Sequence, residues 1–294
     1  MTQPPGAIAP PRSLLLATDL SSRGDRALDR TRQLAQEWGA HVHVVHAVDA
    51  LAPSVPVGVD AEHYLQQHPD LVPEASRALT RLIDDLPATL HVERGNATQA
   101  ILAVAEREGC DLILLGERRE RLIGPLEGTM DQLLRSAPVS VLVVRSRANR
   151  AYRQLLVGTD YTDEALQALS RACDLFPQAE VTVVHAYDPP YAGLRDDPSA
   201  QAWDAPERAR LRAHVAQAGL LERTDRGAIR LRVEAGPPAS VLSQWIASAG
   251  TDLTVIGAHP RGMLYDAMVG RSRLIVDAIP GDILVVRAVR RDAE

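Results

Sequence analysis

One phrase occurs twice in this chain, LLLATDLS at 14–21 and LLVGTDYT at 155–162, and everything around it repeats too. Asp19 matches Asp160, Gly95 matches Gly236, Asp111 matches Asp252 and Gly116 matches Gly257, all at one constant offset. VVHAVD at 44–49 answers VVHAYD at 183–188, and VLVVR at 141–145 answers ILVVR at 283–287, with the offset drifting by a residue or two. Such drift marks loop-length changes between copies of one fold. The period is far too long for a solenoid, so the chain is a duplicated domain. Its 294 residues suffice for two independent cores. The expected domains are 11–147 and 151–290, after a loose tail at 1–10 and with a short linker near 147–152.

Inside each copy, short apolar runs alternate with helical stretches. In the first, a strand at Ser13–Thr18 leads to a helix near Arg23–Trp38, with Ser22 and Asp25 as a capping box and Gly39 past its end. A strand near Val42–Ala47 precedes a Pro- and polar-rich loop running to about Val72. A helix near Glu74–Leu86, a strand near Leu90–Glu93, a helix near Thr98–Glu108, a strand ending on Gly116 and a last strand at 139–144 complete the copy. The second copy repeats this order, with its long loop at about Asp188–Ala205. Continuous apolar strands between helices predict an α/β fold, a parallel sheet covered on both faces.

Composition closes several routes. All 32 basic residues are arginine. The absence of lysine excludes a Walker P-loop lysine, a Schiff-base lysine and a kinase-type ATP lysine. A net charge of -6 argues against general nucleic-acid binding or attraction to an anionic membrane. No apolar run reaches the ~18 residues of a membrane span, and the first residues lack the pattern of a signal peptide. Cys110 and Cys173 have no metal or redox spacing, so the expected setting is a reducing cytoplasm. Asn96-Ala97-Thr98 matches a glycosylation sequon, but with no secretion signal it reads as ordinary sequence.

In open parallel sheets, ligands bind beyond the carboxyl ends of the strands, where strand order reverses. Asp19 and Asp160 stand at such ends. Two readings stay open for them: a ligand acceptor, or a residue that caps the next helix or orders the turn. After the fourth strand comes GERRERLIGPLEGTMDQ, in which Gly116 and Gly128 let backbone approach an anion. Thr129 with Gln132 resembles a capping box, which would set a helix N-terminus beside Gly128; Arg118, Arg119 and Arg121 add charge. His41, His43 and His46 in HVHVVH point to opposite strand faces, so they are read as structural, with no metal. No catalytic triad, carboxylate pair or GxSxG elbow is present, and no catalytic residue is assigned.

The ordered set LLLATDLSSRGDRALDRTRQLA, RGNATQAILAVAEREGCDLILLG and PVSVLVV, answered by LLVGTDYTDEALQALSRA, EAGPPASVLSQWIASAGTDLTVIGAH and DILVVR, resembles the universal stress protein family in its tandem form. The resemblance implies two Rossmann-like domains, each of five parallel strands in the order 3-2-1-4-5. It also implies dimer-like pairing through the last strands, here Val141–Val144 and Ile283–Val286, within a monomer or a homodimer. Some family members bind ATP, with its associated Mg, through G-x2-G-x9-G-[S/T] after strand four. In copy one, Gly116, Gly128 and Thr129 match, Arg119 replaces the second glycine, and the loop is one residue short. In copy two, Gly257 and Gly270 match, Pro260 replaces the second glycine, Arg271 replaces the hydroxyl residue and Ser272 comes one place late. The family aspartate maps to Asp19 and Asp160; Ala47 and Ala186 stand at the end of strand two. The leading expectation is a cytoplasmic stress-response regulatory or ligand-sensing module with ATP in copy one. The others are a nucleotide-free scaffold that recruits partner proteins, and a slow ATPase.

Overall fold

The computed structural model describes residues 9–22, 24–48, 68–83, 85–116, 128–187, 198–221, 227–258 and 279–287. Residues 1–8 of the expected tail fall outside these ranges, as do Arg118, Arg119, Arg121, Pro260, Gly270, Arg271 and Ser272. The chain divides into two compact units, Pro11–Asn149 and Arg150–Glu294.

The first unit runs β1 (Ser13–Ala17), α1 (Asp25–Trp38), β2 (His41–Val48), α2 (Leu71–Leu82), β3 (Ala88–Arg94), α3 (Ala97–Arg107), β4 (Leu112–Gly116), α4 (Thr129–Ser136) and β5 (Ser140–Val144). Its sheet order is β3-β2-β1-β4-β5, and the pairings that join these strands are parallel. The second unit runs β6 (Gln154–Gly158), α5 (Asp163–Leu175), β7 (Glu180–Tyr187), α6 (Pro198–Ala216), β8 (Ile229–Ala235), α7 (Pro238–Ala249), β9 (Leu253–Gly257) and β10 (Asp282–Val286). Its order is β8-β7-β6-β9-β10, again parallel. Both match the expected 3-2-1-4-5. Leu14, Leu15 and Leu16 of β1 and Leu155, Leu156 and Val157 of β6 are almost fully buried, as central strands under helices on both faces must be. With right-handed crossovers, α1 and α2 cover one face of the first sheet and α3 and α4 the other.

The repeated residues have structural partners. Asp111 Oδ2 accepts the amides of Arg12 (2.7 Å) and Ser13 (3.0 Å), and Asp252 Oδ2 accepts those of Arg153 and Gln154, both at 2.9 Å. Each aspartate thus ties the start of the central strand to the strand beside it. Gly95 (φ 106°) and Gly236 (φ 136°) turn the chain after the third strand in a conformation that favours glycine. Asn96, the sequon asparagine, caps α3: its side chain accepts the Gln99 amide at 3.1 Å.

Three local expectations are corrected. The helix α1 starts at Asp25 with Gly24 as its cap and no side-chain cap bond, so Ser22 and Asp25 form no capping box. Thr18 and Asp19 hold tight turns over 18–21 instead. The second long loop is shorter than read, because α6 already begins at Pro198 and contains Pro206. Prolines suggested a loop there, yet Leu211 and Val215, both fully buried, dock the helix on β8. The third correction concerns Thr129. Gly128 is the cap of α4, Thr129 is its first residue, and the Gln132 side chain accepts the Thr98 hydroxyl at 2.7 Å, so that capping box is also absent.

Candidate functional site

The same turn closes the central strand in both copies. In copy one Thr18 Oγ1 accepts the Leu20 amide (3.1 Å), Asp19 Oδ1 accepts the Ser21 amide (3.0 Å), and Leu20 sits at φ 60°. In copy two Thr159 Oγ1 accepts the Tyr161 amide (3.2 Å), with Tyr161 at φ 65°. Asp160 Oδ1 accepts from both the amide (3.2 Å) and the hydroxyl (2.6 Å) of Thr162. The turn-ordering role of the aspartates is therefore real. Copy one engages Asp19 less and leaves it exposed. A histidine braces each turn: His46 Nδ1 donates to the Thr18 carbonyl and His185 Nδ1 to that of Thr159, both at 2.9 Å.

The glycines divide by cause. A β-carbon at Gly257 would lie 2.6 Å from the Glu164 backbone, so close packing against α5 requires that glycine. Gly128 differs. Its φ of −70° and ψ of 160° suit any residue, and an added β-carbon would meet nothing nearer than the Asp131 carboxylate at 3.8 Å. Among the described residues, neither backbone nor packing demands glycine there. Its missing side chain leaves the first amides of α4 approachable, a geometry suited to an anion. In the β–α–β order, these amides lie at the carboxyl edge, on the β1/β4 side where the strand order reverses, as Asp19 does.

In copy two a small, open depression lies beyond β6 and β7, lined by Gly158, Thr159, Asp160, Val184, Ala186, Pro238 and Leu242. It brings together Asp160 and Ala186, two residues singled out from the sequence. On the other face of β7 a polar cluster packs under α6. The Tyr161 hydroxyl donates to Glu207 Oε2 (2.9 Å), its ring lies 4.1 Å from that of His185, and the Arg210 guanidinium sits 4.2 Å over it. Burial, then the Glu207 carboxylate, pushes the Tyr161 phenol well above its usual range. Burial also holds His185 and His214 below the ordinary histidine value, and His214 Nε2 is buried with no hydrogen-bond partner.

A single family model, described as the universal stress protein family, matches residues 11–145 and again 151–287. The chain belongs to the universal stress protein family. The universal stress protein A homolog 1 of Coxiella burnetii is 27% identical over 143 residues, covering 45% of this chain and 95% of that one. Among solved structures, a universal stress protein from Archaeoglobus fulgidus superposes with a TM-score of 0.69 at 17% identity, covering 97% of this chain and 98% of its own. A universal stress protein from Pseudomonas aeruginosa gives 0.58 at 18% identity, covering 94% and 93%. These likenesses carry the fold.

Within this tandem Usp chain, strand pairing sets Asp19 and Ala47 at neighbouring strand ends on the carboxyl edge, where Gly116 also ends β4. Gly257 is held by packing. Pro238, Leu242, Tyr161 and Glu207 escaped the sequence reading. Only the match of 238 and 242 to the start of α3 in copy one could have pointed to the first two. Among the described residues no helix is long and apolar enough to cross a membrane.

Proposed function

We propose that this protein is a cytoplasmic stress-response module that senses an adenine nucleotide, with ATP taken by copy one. The observation that carries the reading is Gly128, a glycine that among the described residues neither packing nor its own conformation requires, set before the first amides of α4. In this reading Asp19 accepts from the ribose or base, Ala47 leaves room at the end of β2, and the Gly128–Thr129 amides with the Thr129 hydroxyl take the phosphates. Gly116 ends β4 beside them, and Arg118 adds charge. Associated Mg would travel with the nucleotide. Asp131, in the first turn of α4, opposes an anion and keeps the affinity low.

Copy two is expected to hold no ATP. Pro260 has no amide to give, and Arg271 replaces the small hydroxyl residue, although an arginine can itself pair with phosphate. Asp160, Ala186 and Gly257 keep their places there, while Gly270 and Ser272 would supply the phosphate end. One lost charge-assisted bond costs about 1.5–3 kcal/mol, roughly tenfold or more in affinity.

Calorimetry with ATP tests the assignment. Micromolar or weaker binding is expected in the wild type, abolished by Gly128→Val and kept in Gly270→Val. Loss in Gly270→Val alone reverses the assignment. No binding in the wild type, and no nucleotide released on denaturing the purified protein, would leave the scaffold reading.

A further inference from the structure

Three side chains far apart in sequence converge on the α3 face of the first sheet. His43 stands on β2 and His91 on β3, where His43 is level with Thr89 and Val45 with His91. Both histidines therefore share one face, two residues apart in register. Glu108 ends α3, and Gly109 at φ 59° turns the chain just beyond it. His43 Nδ1 lies 3.1 Å from His91 Nε2 and 4.0 Å from Glu108 Oε2, and one ligand atom from each residue falls within 4.8 Å of the others.

We propose that His43, His91 and Glu108 form a site for a divalent transition-metal ion of the zinc class, with water completing the coordination. Two imidazoles and a carboxylate are a donor set zinc takes when one position is left open. Around a tetrahedral ion with bonds of about 2.0–2.1 Å, ligand atoms stand about 3.3 Å apart. The histidine pair already has that spacing. Glu108 is a partly exposed, flexible side chain that closes the remaining gap by rotation. The carbonyl end of α3 adds a partial negative charge at the site. Burial keeps both histidines below their ordinary value, so they are present at neutral pH as the free imidazoles a metal requires.

Arg107 guards the rim. Its Nη2 donates to His91 Nδ1 (3.1 Å) and to Glu93 Oε1 (2.9 Å), and its Nε donates to Glu108 Oε1 (3.1 Å). With Nδ1 accepting, His91 carries its proton on Nε2 and passes it toward His43. Metal entry moves that proton to Nδ1 and requires Arg107, 51% exposed, to swing outward. Glu93, two residues on along the same strand face, is the acceptor left for it. The arginine thus balances the two carboxylates when no metal is held.

The second copy separates this reading from simple packing. At the positions of His43, His91 and Glu108 it carries Thr182, Arg232 and Ala249 on the same elements. The fold is complete there without the cluster. The β2 histidines, taken alone, pointed to no metal; the convergence depends on β3 and the end of α3.

The test uses the full chain, stripped with chelator and titrated with Zn(II) by calorimetry and with Co(II) by visible absorption. One equivalent at micromolar affinity or tighter is expected, with the intense bands of tetrahedral cobalt. Affinity should fall at least tenfold in His91→Gln and in Glu108→Gln, each checked for fold by circular dichroism. It should rise in Arg107→Ala and stay unchanged in His68→Gln. No stoichiometric uptake by the wild type, or binding that survives His91→Gln, overturns the proposal.

Discussion

At the scale of single residues, the buried histidines set how the protein meets acid. His185 and His214 both sit below the ordinary value of 6.5, chiefly because burial disfavours their charged form. In the unfolded chain they take up a proton near that value, while the fold keeps them neutral. Below about pH 6.5 the unfolded state therefore binds more protons, and stability falls as pH drops toward the lowered folded values. Urea midpoints measured between pH 7.5 and 5 should decline for the wild type. His214→Leu, which also removes an unpartnered ring nitrogen, should flatten the decline. An equal slope in the variant would exclude His214 from the effect.

The elements show two glycines that answer to different demands, Gly257 at the end of β9 and Gly128 at the start of α4. Gly257→Ala places a methyl group against the backbone of α5 and should destabilise its unit by about 1–3 kcal/mol, read as a lower denaturant midpoint. Among the described residues, Gly128→Ala meets only the Asp131 carboxylate, at an ordinary contact distance of 3.8 Å, and should leave that midpoint unchanged. If both substitutions were equally harmful, the contrast drawn between these two glycines would fail. Spacing alone cannot separate them, since both are glycines at the carboxyl edge of the sheet. The order of elements and the parallel sheet were legible because apolar runs such as LLLA and LILLG alternate with helices, and because the duplication presents the same pattern twice; the strand order 3-2-1-4-5 came only with the family resemblance. Helix starts were less legible. Ser22–Asp25 and Thr129–Gln132 have the right letters, but turns at 18–21 and the Thr98 hydroxyl claim the chain first. The His43–His91–Glu108 cluster was illegible for a simpler reason: its members come from three elements, and only the register of β2 on β3 brings them together.

For the whole molecule, the last strand of each sheet raises the question of what covers it. Val141–Val144 and Ile283–Val286 are apolar and buried. An uncovered strand of that kind pairs with whatever is near, and a sister copy on the same chain is always near. The family resemblance implies pairing of the two copies within the chain through these strands. Amide exchange should then be slow on both strands in a species that sediments as a monomer. Fast exchange on either strand, or protection that depends on protein concentration, would argue for another partner. The clamp between Asp111 and the start of β1 carries a consequence of timing. Leu14 finds its neighbour on one side at Val42 but on the other at Leu112. At about 5–20 residues per second, a ribosome needs roughly 4–14 s to travel from one to the other. Until Asp111 has left the exit tunnel, the central strand of the newborn first copy has an open flank, and the second copy starts its own wait only after the first has ended.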